Sequence, residues 1–221
     1  MAERTPPTRT VLNRAYIATV ALELIDRIGL AKFSMRKLGA ELGADPMAAY
    51  RHYADQEDLY DGIAELLFDQ LDTDSLPWAN DWRELCTAYC ERLRETLHAH
   101  PHVVTVFASR PVRSPAAIAA GNRMIETLRD AGLAPADALR ITRCLREFTI
   151  GHALSMAVLT LGADRRSRKP APTDPAYNLL TEAADDATPG DHFDRGLQAM
   201  LTGFTADRAI SAGRGKTRGR R

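Results

Sequence analysis

The stretch FSMRKLGAELGADPMAAYRHY, residues 33–53, sets two short helical patterns on either side of a Gly-Ala-Asp-Pro break. Ser34 stands where an N-cap belongs, although Lys37 rather than Glu follows three residues later, so the capping box is incomplete. Met35, Leu38 and Leu42 repeat at helical spacing, and Gly43 closes that segment. Asp45 then caps a third segment whose first position is Pro46, where a missing N–H is harmless. Helices this short are marginal in isolation and need neighbours. The preceding segment, Asn13 to Ile28, supplies one, with Ile17, Val20, Ala21, Leu24 and Ile28 on a single face and Gly29 as its stop.

Three short helices with a tight turn before the third outline a helix-turn-helix, in which the third enters the major groove and the second braces on the backbone. The residue types suit both tasks. Arg36 and Lys37 open the second helix within reach of phosphates. Pro46, Met47 and Ala48 suit thymine methyls or sugars, while Tyr50, Arg51 and His52 add a phenol, a bidentate fork and an imidazole. The alternative is a surface helix of a bundle with incidental basic residues.

Charge agrees only through its distribution. The 221-residue chain carries 29 basic and 29 acidic residues. From Met1 to Tyr53, however, eight basic residues face five acidic ones, and the last nine residues, GRGKTRGRR, add five positives with no acid. A hydrophobic share of 45% is enough for a sizeable core. Three cysteines show no disulfide spacing, the N-terminus lacks the apolar core of a signal peptide, and no apolar run reaches membrane length. A cytoplasmic protein is expected.

Beyond Tyr53 every long segment reads as helix: Gln56 to Leu71, Asp81 to His98, Pro101 to Ser109, Pro115 to Ala131 behind Ser114, Pro135 to Leu161, and Asp191 to about Ile210. The Pro-rich run GADRRSRKPAPTDP reads as mobile. No alternating strand pattern occurs, so the expected fold is all-α. Its divisions would be a DNA-binding domain over 1–55, a connecting helix over 56–72, a ligand-binding and dimerisation domain over 73–212, and a basic disordered tail over 213–221.

The run FSMRKLGAELGADPMAAYRHYADQEDLYDGI resembles the signature of TetR-family transcriptional regulators. The segments WRELCTAYCERLRETLHAHPHVVTVFASRPV, NRMIETLRDAGLAPADAL, REFTIGHAL and FDRGLQAMLTGF are similar to the tetracycline-repressor-type C-terminal domain. The resemblance implies a homodimer on double-stranded operator DNA, released by a small-molecule effector, with Arg36 on the second helix and Pro46, Met47, Tyr50, Arg51 and His52 on the recognition helix. It also implies that Pro135–Leu161 and the final helix pack against their symmetry mates. The stripe Phe193, Leu197, Met200, Leu201 and Phe204 fits that, as it fits burial within one chain.

Tetracycline repressors hold the drug as a magnesium chelate, and here the resemblance breaks down. The Arg-Pro pair beside the drug is kept as Arg110 and Pro111, but the histidine before it becomes Val106 or Phe107. The polar residue of the first pocket helix becomes Tyr89, the histidine before Phe-Thr-x-Gly becomes Glu147, and the acidic residue after it becomes Ser155. A hard cation loses most of its affinity with its ligands, so magnesium-tetracycline is not expected, and neither is a cofactor or metal. The expected pocket is apolar with a few polar anchors, drawn from Trp82, Tyr89, Leu93, Phe107 and Arg110 with Pro111. Asn122, Met124, Glu147, Phe148 and His152 complete the candidates, with core packing the alternative for each. Glu147 and His152 lie five apart and do not stack on one helix face.

Other chemistry finds little support. Cys86 and Cys90 share a helix face and could sense thiol oxidation or a soft metal with His98 or His100, but small buried thiols are commoner. No phosphate loop, nucleophile elbow or HExxH pair appears, so no enzyme is expected. An effector-free DNA-binding regulator remains the second alternative.

Overall fold

In the computed structural model, α1 (Arg14–Ile28) starts at Asn13, whose side-chain oxygen accepts the Tyr16 N–H at 2.8 Å. It stops at Gly29, whose φ of 85° disfavours any side chain. The structure describes residues 12–43, 45, 47–162 and 191–218, with side chains of the last helix described over 192–205. A 3-10 turn (Leu30–Lys32) leads to Ser34, which accepts the Lys37 N–H at 3.3 Å and opens α2 (Met35–Glu41). Asp45 accepts the Met47 N–H at 2.8 Å and opens α3 (Met47–Tyr50). Periodicity carries this helix on through Arg51 and His52, but the structure ends it at Tyr50. The backbone tightens there, with the Arg51 and His52 N–H groups donating three residues back to the Ala48 and Ala49 carbonyls at 3.4 and 3.0 Å, and the Tyr53 ring that follows is drawn inward to 1% exposure.

α4 (Gln56–Asp69) is capped by the Asp55 side chain and carries two acids, Glu57 and Asp58, in its first turn, where the helix dipole favours them. After the loop through Thr73–Ser75 come α5 (Trp82–Ala99), a 3-10 turn (Pro101–Val103) and α6 (Val104–Ser109). Ser114 caps α7 (Pro115–Asp130), followed by α8 (Pro135–Leu161) and α9 (Asp191–Arg218). No strand occurs among the described residues, and the fold is all-α. α9 runs past the expected end near Ile210, through Gly213 and Gly215 to Arg218. The expected loop after Gly162, the stretch to Gly190, Pro46 and the final Gly219–Arg221 lie outside the described residues.

Two hydrophobic cores organise the helices. The first joins α1–α4 to Leu93 and Leu97 of α5, to Val103–Phe107, and to Ile150, Ala153 and Ala157 of α8. The first four helices therefore share a core with the helices behind them, through the 3-10 turn Pro101–Val103, which packs against both α1 and α8. The second core gathers Trp82, Leu85, Cys86 and Cys90 of α5, Met124 and Leu128 of α7, Ile141 and Leu145 of α8, and Phe193, Leu197 and Leu201 of α9. Of the α9 stripe, Phe193, Leu197 and Leu201 are thus buried within the single chain, while Met200 and Phe204 are half-buried. What α8 leaves outside is different: Val158 is 71% exposed, Leu159 42% and Leu161 48%.

Candidate functional site

The short N-terminal helices present one polar surface. On α2 the Arg36 and Lys37 side chains are exposed; Lys37 donates from Nζ to the Lys32 carbonyl at 2.7 Å, while Arg36 makes no ion pair among the described residues. On α3 Met47 is 60% and Tyr50 41% exposed, and Arg51 stands exposed in the turn that follows. Ala48 and His52 are half-buried, and Ala49 faces the core between them. Exposed apolar, phenolic and cationic groups on these two helices and the turn after them fit the chemistry of base edges and phosphates.

Four contacts tie this surface to what lies behind it. The Arg14 guanidinium grips Asp58 of α4 with bonds of 2.8 and 3.2 Å, donates to the His52 carbonyl at 2.5 Å, and lies 4.1 Å from the Tyr53 ring centroid. That bond holds the Asp58 carboxyl below the usual carboxylate range. Asp26 of α1 meets Nδ1 of His100, beyond α5, at 2.6 Å. Arg92 of α5 caps the end of α4, donating to the Leu71 and Asp72 carbonyls and to Ser75 Oγ. Arg110, at the end of α6, reaches Glu57 and Asp61 on the first turns of α4.

Between α5, α6, α7 and α8 lies a cavity of about 480 Å³. Phe68 at the end of α4, Trp78, Tyr89, Phe107, Met124 and Ile125 form its apolar walls. Pro111 and Val112, directly after Arg110, complete one side. The Trp78 indole is fixed by donating to the Thr73 carbonyl at 2.9 Å. Burial pushes the Tyr89 phenol up to about 12, so it stays a neutral donor. Arg143 and Arg146 supply the wall's charge. Neither carboxylate nor imidazole occurs among the described lining residues.

Of the residues singled out in sequence, Tyr89, Phe107, Pro111, Asn122 and Met124 line this cavity. The others lie elsewhere. Trp82 is buried in the second core and Leu93 in the first, because α5 serves both. Arg110 turns away toward α4, where two carboxylates attract it. Glu147 is exposed, and Phe148 stacks on Phe193 at 5.3 Å between ring centroids. His152 sits between His98 at 5.8 Å and His192 at 5.0 Å, with both ring nitrogens lacking a hydrogen-bond partner. Sequence reasoning missed Phe68, Trp78, Arg143 and Arg146. A signal existed on α8: Leu139, Thr142, Arg143 and Arg146 recur at three- and four-residue steps and form one face.

The histidine group carries a pH prediction. Burial first, then the charges of His192, His98 and Arg94, lowers the His152 pKa below 6.5, and burial with Arg94 lowers that of His98. The unfolded chain then binds more protons, so stability is full above about 6.5 and falls as pH drops through the lower folded values. His152→Phe is expected to flatten the loss of melting temperature between neutral pH and pH 5, and an unchanged slope would remove the explanation.

Comparison with known proteins identifies the class to which this architecture belongs: helix-turn-helix DNA-binding regulators with a helical ligand domain. Residues 76–208 match the family described as "Tetracyclin repressor-like, C-terminal domain". An HTH-type transcriptional regulator of Saccharopolyspora erythraea is 29% identical over 217 residues, covering 92% of this chain and 89% of the relative. The tetracycline repressor protein class A from transposon 1721 of Escherichia coli is 26% identical over 204 residues, covering 91% of this chain and 94% of the repressor. The crystal structure of "a possible TetR family transcriptional regulator from Streptomyces coelicolor A3(2)" superposes with a TM-score of 0.75 at 28% identity, over 88% of this chain and 99% of that one. The chain belongs to the TetR family of transcriptional regulators. Proteins of that family are DNA-binding regulators rather than enzymes; they act as dimers on operator DNA and respond to small molecules. Among the described residues no helix is long and apolar enough to cross a membrane.

Proposed function

We propose that this chain is a cytoplasmic repressor that leaves its operator when an aromatic or hydrophobic effector fills the cavity between α5 and α8. Residues 1–55 form the DNA-binding unit, 56–72 the connecting helix, and 73–212 the effector-binding and dimerisation unit. The exposed apolar end of α8, Val158 to Leu161, supports pairing with a second copy. The observation that carries the reading is the placement of Arg110. Its side chain grips α4 through Glu57 and Asp61, while the next two residues, Pro111 and Val112, line the cavity. A ligand that moves that wall moves or breaks the grip on α4, the helix that connects the recognition surface on α2 and α3 to the rest of the chain.

Arg110→Ala is the test. The variant is expected to bind a cavity ligand with unchanged affinity, followed by Trp78 quenching, while the ligand's power to release operator falls. Coupling energies of about 1–3 kcal/mol correspond to a change of roughly 5- to 150-fold in operator affinity. Full release by the variant would show that the grip does not transmit the signal.

The thiol-responsive alternative is weakened by burial. Cys86 and Cys90 are 2% and 0% exposed, and desolvation pushes their thiols up to about 12 and 11, far from the thiolate that oxidation requires. Cys86→Ala with Cys90→Ala is expected to leave operator binding insensitive to peroxide, as in the parent protein. A peroxide response that the double variant abolishes would restore that alternative.

A further inference from the structure

We infer that the cavity selects an effector whose flat aromatic body carries a negative charge, and that Arg146 and Arg143 read that charge. The inference rests on the cavity being the effector site. It starts from the polar groups left unused in the wall. Tyr89, Asn122, Arg143 and Arg146 make no hydrogen bond or ion pair among the described residues; Asn122 and Arg143 are exposed, Tyr89 and Arg146 half-buried, and the two arginines offer only donors. No lining carboxylate balances the two guanidiniums.

Several arginines elsewhere are matched, Arg14 with Asp58, Arg27 with Glu41, Arg94 with Asp194, and Arg110 with Glu57 and Asp61, whereas Arg36 and Arg51 on the short N-terminal helices, like the two in this wall, find no acid among the described residues. Arg143 and Arg146 lie three apart on one face of α8, where like charges repel and neither finds an acid. Arg146 is half-buried, its guanidinium 5.5 Å from the centroid of Phe107, which also lines the cavity. A planar cation held against an aromatic wall can stack on a ligand's rings and present N–H groups to an acid on their edge.

The size of the site separates two sources of negative charge. An inorganic anion would leave most of about 480 Å³ of largely apolar space unfilled. An aromatic acid fills it and brings acceptors to the donors. The Tyr89 hydroxyl remains protonated at neutral pH and adds a donor rather than a competing charge. A cationic aromatic is rejected by the same wall. Charge-assisted bonds are about twice as strong as neutral ones, which sets the expected preference for an acid over its uncharged amide at about tenfold or more.

Anthraquinone-2-carboxylate and anthraquinone-2-carboxamide are the probes, titrated into the full-length protein with quenching of tryptophan fluorescence as the readout. Trp78→Phe checks that the signal comes from the cavity. The acid is expected to bind at least about tenfold tighter, with the ratio falling to about threefold or less in Arg143→Gln/Arg146→Gln at unchanged melting temperature. Equal affinities in the parent protein, with Trp78 quenched by both, would overturn the charge inference and leave the cavity reading intact. Quenching by neither probe would overturn both.

Discussion

Replacing Arg51 by alanine is expected to weaken operator binding by about 30-fold or more while leaving the melting temperature unchanged. A well-placed arginine–base pair is worth about 1–3 kcal/mol, and a dimer carries the substitution on both half-sites, so the loss is on the order of 2–6 kcal/mol. The side chain is exposed and makes no hydrogen bond or ion pair among the described residues, so truncation breaks no such bond. Surface substitutions of that kind change stability by about 0.5 kcal/mol at most. Tyr50→Ala, 41% exposed on the same edge, follows the same logic with a smaller loss. Titrations at several salt concentrations divide the contacts, because a lost phosphate contact lowers the salt slope by about one and a lost base contact does not. Unchanged operator affinity in Arg51→Ala would place the recognition surface elsewhere.

The second large effect is on stability. Tyr53 is the wedge between α3 and α4. Its hydroxyl donates to the Arg14 carbonyl at 2.8 Å, and its ring packs under the Arg14 guanidinium. On its other side Gly62 of α4 gives it room: a Cβ there would lie 2.5 Å from the Tyr53 hydroxyl and 2.8 Å from Cε1. Tyr53→Ala is expected to cost about 3–5 kcal/mol, as for other buried aromatics, or roughly 6–20 °C in melting temperature for a chain of this size. Gly62→Ala should destabilise from the opposite side by forcing the ring out of place. Tyr53→Phe removes only the hydroxyl and serves as the mild control, at about 1 kcal/mol. A loss below about 1 kcal/mol in Tyr53→Ala would mean that α3 does not depend on this wedge. The same substitution removes the anchor of the recognition edge, so operator binding should fall with it.

The fold was legible where its causes are local. Ser34, Asp45 and Ser114 accept the N–H groups that their positions predict, and α8 spans Pro135–Leu161 as its proline and apolar content require. Where the causes are tertiary the sequence ran short. The apolar stripe of α9 fits both dimerisation and internal burial; the second core takes in Phe193, Leu197 and Leu201, and Met200 and Phe204 remain half-buried at its edge. Trp82 and Tyr89 are two helical turns apart on α5 and read as equivalent, yet Trp82 packs into the second core while Tyr89 faces the cavity. The crossing of α5 with its neighbours decides that difference, and no local pattern encodes it. Arg110 illustrates a third limit. Its place beside the cavity followed from resemblance, but its direction follows from Glu57 and Asp61, some fifty residues earlier in the chain.

The arginines of α8 carry no signal in the resemblance, which marks Glu147 and Ser155 as the places of histidine and acidic groups in magnesium-binding repressors. The charge in this chain's cavity stands instead at Arg143 and Arg146, on the neighbouring face of the same helix.

The most direct measurement is fluorescence anisotropy of the purified protein on the DNA flanking its own gene, titrated with aromatic acids and then with their amides. The account predicts sequence-specific binding that an aromatic acid reverses, with the reversal reduced in Arg110→Ala. Specific binding that no aromatic compound relieves would contradict it and leave a regulator governed by something other than this cavity.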